Sequence, residues 1–130
     1  MQNEVCAVAT ALIAAFEAND RDGYFSYFTP EARFIFHAVP FVMESRAAYE
    51  AEYDRWVREE GFTVLECTST RQHADVYGDS AVFTHQTFTR VRTHVGESGY
   101  HERESIIFTR QNGRWLAVHE HLSLLPDGAS

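Results

Sequence analysis

Apolar residues recur at helical spacing near the start of the chain and at alternate positions near its end. Val5, Val8, Leu12, Ile13 and Phe16 share one helical face with alanines between them, which predicts an amphipathic helix ending near Asn19 and Asp20. Asp22 is placed to cap a second, short helix over residues 23–28, which Pro30 stops. Residues 32–37 read as a strand. Residues 38–44 form a loop around Pro40, with Phe41, Val42 and Met43 suited to cap a pocket or join an interface. Ser45 caps a third helix, residues 46–60, ended by Gly61. Its broad face carries Ala48, Tyr49, Glu52, Tyr53, Trp56 and Val57.

The rest of the chain is rich in β-branched and aromatic residues. Strands are predicted over 62–76, 81–95, 100–110 and 114–125, with turns at Gly78-Asp79 and across 96–99. The last two strands flank Asn112-Gly113, a pair that accepts the positive φ angles of a tight hairpin turn. If Gln111 pairs with Arg114, Phe108 faces Ala117, Ile106 faces His119 and Glu104 faces His121. Alternation then puts Glu104, Ile106, Phe108, Trp115, Ala117, His119, His121 and Ser123 on one face. The other face carries His101, Arg103, Ser105, Ile107, Leu116, Val118, Glu120, Leu122 and Leu124. Both faces mix apolar and ionisable groups, so each should be covered. The order α-α-β-α-β-β-β-β predicts an α+β fold, with helices on one side of a mostly antiparallel sheet.

Composition narrows the function classes. The chain has 130 residues, 45% hydrophobic and 14% aromatic, which suits a single domain over residues 1–130 with a real core. Its formal net charge is -8, and its 11 basic residues are all arginine. Without lysine there is no Schiff-base chemistry and no Walker-type phosphate loop. The acidic balance argues against a nucleic-acid partner. The apolar run over 5–16 is too short to span a membrane and lacks a basic leader, so the expectation is a cytoplasmic protein. Cys6 and Cys67 form no close motif and read as reduced thiols.

Two stretches carry a family resemblance. The opening A-L-I-A-A-F-E-A-N-D-R-D-G-Y-F-S-Y-F-T-P-E-A-R-F resembles the nuclear transport factor 2-like superfamily. The ending R-E-S-I-I-F-T-R-Q-N-G-R-W-L-A-V-H-E-H-L-S-L-L-P resembles its SnoaL-like branch, and G-R-W…V-H-E-H-L-S is similar to the association domain of calcium/calmodulin-dependent kinase. The resemblance implies a curved sheet wrapped round a long helix into a cone with one pocket, and a homodimer formed through the outer sheet face. A rough alignment turns the Arg103 face toward the pocket and the Trp115 face, with Phe88, Ile106 and Phe108, toward the dimer. Ketosteroid isomerase is a relative whose tyrosine aligns with Leu12, whose base falls near Phe36 and His37, and whose second acid falls near Ser105. Only His37 matches in kind, so this chain is not expected to be that enzyme.

The candidate chemistry is proton transfer on a small molecule. Arg103 is the candidate clamp for a carboxylate or enolate, its geometry set by Glu120; a structural ion pair between the two is the other reading. His37, His85 and His101 are the imidazoles able to approach the pocket, with His37 first and His85 second as general base. Tyr53, Trp56, Ser105 and His101 are candidate ligand contacts, and Tyr49 is a further cavity-wall aromatic. His119 and His121 alternate on one face opposite Glu104, but spacing supplies no further firm ligand, so no metal is expected. Cys67 has no base beside it. The reading is a SnoaL-like protein that isomerises, cyclises or dehydrates a carbonyl compound without a cofactor. The alternative is a ligand-binding or dimeric assembly module without catalysis.

Overall fold

A computed structural model describes residues 1–126. Helix α1 runs Gln2–Glu17 and α2 runs Arg21–Phe25, capped by the Asp20 side chain on the Gly23 amide rather than by Asp22. Strand β1 runs Phe28–Phe36 and contains Pro30. That proline is tolerated because β1 is an edge strand and its register is irregular between Phe28 and Arg33. Helix α3 covers Arg46–Arg55, with Ser45 accepting from the Ala48 amide as its cap. A π-helical turn over Trp56–Glu60 follows, closed by Gly61 at φ 69°. Strands β2 (Thr63–Tyr77), β3 (Ser80–Thr93), β4 (Gly96–Gln111) and β5 (Arg114–Leu124) complete the chain. The segment 96–99, read above as a turn, belongs to β4.

The sheet order is β1-β5-β4-β3-β2, with β1 parallel to β5 and the other neighbours antiparallel. It curves around α1, which lies against β2 and β3. The Asn112-Gly113 turn forms with positive φ at both residues, and Gln111 pairs with Arg114 as the pattern predicts. The register then departs from it. Phe108 faces Ala117, but Ile107 faces His119, so Val118 is an extra residue and β5 bulges there.

That bulge decides which residues face the core. Trp115 and Ala117 point inward with Phe108 and Ile106; beyond Val118, Glu120 and Leu122 point inward while His119 and His121 turn out. Ile106, Phe108 and Trp115 are therefore buried in the chain's own core and offer no dimer face. The core continues through Val5, Ala9 and Leu12 of α1 into an aromatic cluster of Tyr24, Phe25, Phe28, Phe34, Tyr49 and Tyr53, mostly edge-to-face. Met43, expected in an exposed loop, is buried and exchanges two backbone hydrogen bonds with Phe34. Phe41 and Val42 do remain exposed. Among the described residues, no helix is long and apolar enough to cross a membrane.

Candidate active site in the inner cavity

Between the concave sheet face and the helices lies a cavity of about 360 Å³. Its walls are largely apolar: Leu12, Ile13 and Phe16 from α1, Phe36 and Val39 beyond β1, Trp56 and Phe62 around the π-helical turn. Its polar groups come mainly from the sheet, where Glu102, Glu104, Glu120, Thr87 and Thr89 all point inward. Arg55 stands on the wall, paired to Glu52 at 2.9 Å and Glu60 at 3.4 Å.

Two hydrogen-bonded systems face this space. In the first, His37 at the end of β1 has its Nε2 2.5 Å from Glu102 Oε2, and Glu102 Oε1 also accepts from Thr87 Oγ1 at 3.3 Å. The side chains of His37 and Glu102 are 17% and 4% exposed. Because a carboxylate only accepts, the proton of a neutral His37 sits on Nε2 and Nδ1 is the nitrogen left to take another.

The second system is deeper. Tyr49 and Tyr24 share a hydroxyl hydrogen bond of 3.0 Å, and Tyr24 donates to Glu120 Oε1 at 3.0 Å. Glu120 in turn donates to Glu104. Glu104 Oε1 lies 2.7 Å from His85 Nε2, and His85 Nδ1 lies 2.6 Å from Ser69 Oγ. Burial pushes Glu104 up to about 7, and it pushes Glu120 well above the ordinary carboxyl range, helped by the neighbouring Glu104 charge. Burial also holds His85 down to about 4 and raises both tyrosines. The pair therefore keeps a proton at neutral pH, and the cavity floor is a hydrogen-bonded chain of one acid proton and two phenols.

A model of the SnoaL-like domain matches residues 5–127. The chain belongs to the SnoaL-like family. Among curated proteins, none matches it in sequence. Solved structures share the fold at low identity. A protein with a cystatin-like fold from Caulobacter vibrioides aligns at TM-score 0.79 with 14% identity, covering 96% of this chain and 89% of that one. The CaMKII hub of S. rosetta aligns at 0.77 with 18% identity over 95% and 96%. A candidate dehydratase of the NTF2-like family from Streptomyces avermitilis aligns at 0.76 with 18% identity over 95% and 96%.

Within this SnoaL-like fold the sequence-derived candidates divide. His37, Glu120 and Trp56 line the cavity, as does Tyr49. His85 is buried behind Glu104 and reaches the cavity only through it. Arg103 and Ser105 lie on the opposite sheet face, because their neighbours Glu102 and Glu104 point in. The expected Arg103–Glu120 pair is thus ruled out: the two side chains sit on different sides of the sheet. His101 is also on the outer side, exposed with its ring 4.8 Å from Phe88. Tyr53 is buried against Phe25 and Phe62 and does not line the cavity. His119 and His121 face outward, 6.2 Å apart between ring centroids, and among the described residues no three His, Cys, Asp or Glu side chains converge as metal ligands. Cys67 lines the cavity with its thiol pushed up to about 12 by burial, far from a nucleophile's range.

Sequence reasoning missed Glu102, Glu104 and Tyr24 as residues lining the cavity. A signal for the glutamates existed: Glu102 and Glu104 continue the alternation of Ile106 and Phe108, so acids stand in phase with a core face.

Proposed function

We propose that this SnoaL-like protein catalyses proton transfer beside a carbonyl on a small, largely apolar molecule held in the inner cavity. The observation that carries the reading is a base and an acid facing one enclosed space. His37, oriented by Glu102, takes the proton from the carbon next to the carbonyl. The carbonyl oxygen, as it gains charge, draws the proton of the Glu120–Glu104 pair, which turns from the partner carboxylate to it, while Tyr24 keeps its hydrogen bond to Glu120 and steadies the carboxylate left behind. The resulting enol takes a proton back at another carbon, expels a β-hydroxyl as water, or adds to a second carbonyl. These routes give isomerisation, dehydration and cyclisation. The candidate dehydratase among the structural neighbours is consistent with the second route. No step calls on a cofactor.

The test is carbon–hydrogen exchange. The protein is incubated in D2O with cyclic ketones such as 2-tetralone, and deuterium at the α-carbon is followed by NMR. Exchange above the buffer rate is expected, with His37→Ala lowering it about 10²–10⁴-fold and Glu102→Gln lowering it less. Ketones that bind in the cavity without exchanging would instead support the ligand-binding module.

We also propose that the chain forms a homodimer through its outer sheet face. Val82, Ile107 and Leu116 are half-buried there and give that face an apolar stripe.

A further inference from the structure

Arg103 stands in a second cleft, on the sheet face opposite the inner cavity. Outer side chains of β3, β4 and β5 line up across strands there. Gln86, Arg103 and Ser123 are partners in one row, and Thr84, Ser105 and His121 in the next. At a strand spacing of ~4.8 Å each row is about 10 Å wide. These six side chains, with Arg71, His85 and Glu104, line a cleft of about 430 Å³.

The lining is a set of hydrogen-bond donors. Each of the six carries at least one N–H or O–H group. Glu104, the carboxyl of the lining, is committed to His85 and to Glu120 on the inner side. Strand β2 is irregular between Thr70 and His73, with Arg71 at φ 54°. Bulges of this kind re-aim a side chain, and here Arg71 reaches the cleft. The charge pattern sharpens the point. The chain carries a net charge of -8, and Arg21, Arg46, Arg90 and Arg110 each pair with a carboxylate. Among the described residues, none pairs with Arg103, which stands exposed among neutral donors. A planar guanidinium in that setting matches an oxyanion's two acceptors.

We propose that this outer cleft binds a small oxyanion, a carboxylate or phosphate group, with Arg103 as its bidentate contact and Ser105, Ser123 and His121 completing the shell. The site is separate from the inner cavity, so it stands whether or not the protein transfers protons.

The experiment titrates the full chain with inorganic phosphate and, separately, with acetate, reading the amide signals of residues 84–86, 103–105 and 121–123 by NMR. Saturable shifts confined to those residues are expected for at least one anion. The ratio of the two affinities tells a phosphoryl site from a carboxylate site. Arg103→Gln should raise the Kd at least tenfold and His121→Gln several-fold. Arg114→Gln, at the exposed hairpin turn, should leave it unchanged. Sodium chloride at matched ionic strength is the control. Shifts equal to those from chloride, or unchanged binding in Arg103→Gln, would overturn the proposal. So would a change of sedimentation in Arg103→Gln without any change in anion binding, since the cleft would then receive a carboxylate from a second copy.

Discussion

Glu120 shows what one buried acid does to a protein with no cation beside it. Its carboxyl and that of Glu104 bind protons more tightly in the fold than in the open chain, where a glutamate titrates near 4.3. Such raised groups stabilise the fold fully below about 4.3 and lose that stabilisation as pH rises; for Glu104 the loss runs up through about 7. His85 acts with the opposite sign: held down to about 4, it adds stability as pH rises between there and its ordinary value near 6.5. Between about pH 6.5 and 8 the two carboxyls carry the pH dependence, because the raised Cys67 thiol and the tyrosines come in only at higher pH. Urea unfolding should therefore show stability falling by about 1–3 kcal/mol between roughly pH 6.5 and 8. Glu120→Gln keeps an acceptor for Tyr24 and a donor for Glu104 but has no proton to lose, so its slope should be shallower. An equal slope would mean that the pair is not the titrating unit. Trp115 makes a contrasting case. It is 5% exposed with its indole N–H unpartnered. Trp115→Ala should cost about 3–5 kcal/mol by the cavity it leaves, whereas Trp115→Phe should cost much less in the same measurement, since no hydrogen bond is lost.

At the scale of elements, the bulge in β5 matters more than any hydrophobic pattern. Alternation along 114–124 is regular as written, and it pairs Glu104 with His121. One extra residue at Val118 moves Glu120 and Leu122 to the core and both histidines out. A bulge adds no distinctive residue type, so the pattern of apolar positions cannot announce it. Deleting Val118 should remove the extra residue and leave Glu120 and Leu122 inward and His119 and His121 outward, since Ala117 and His119 already pair with successive residues of β4. The expected result is a dispersed NMR spectrum like the parent's, and collapse of the amide dispersion would refute this account of the register. Helix starts were far more legible. Ser45 was readable as a cap because its oxygen has an unpaired amide to meet three residues on, and it meets Ala48 N at 3.1 Å. Ser45→Ala should lower stability by about 1 kcal/mol in chemical denaturation.

At the scale of the molecule, one curved sheet separates two different environments. The concave side encloses an aromatic cavity with buried acids; the convex side carries Arg103, His121 and hydroxyls around an open cleft. The proposed dimer uses the convex side through Val82, Ile107 and Leu116. Sedimentation at micromolar concentration should give a dimer, and Ile107→Asp, which puts a charge in that stripe, should give a folded monomer. A parent protein that sediments as a monomer would remove the dimer from the proposal and leave the inner cavity untouched.

Local chemistry was enough to determine the elements. Helical periodicity, the caps at Ser45 and Gly61, and the Asn112-Gly113 turn depend on residues within a few positions of each other, so the α+β order and the membership of a SnoaL-like fold were readable from the chain. The place of His37 on the cavity wall was readable too, since it follows a strand that the fold brings to the cavity. Only the tertiary structure decided which sheet face is the inside. That choice rests on where α1 lies, which is non-local: it turned the Glu102–Glu104 face of β4 inward and left Arg103, Ser105 and His101 outside. The Val118 bulge decided β5 alone, bringing Glu120 and Leu122 in and turning His119 and His121 out, because a strand's side chains change sides together when its register moves by one residue.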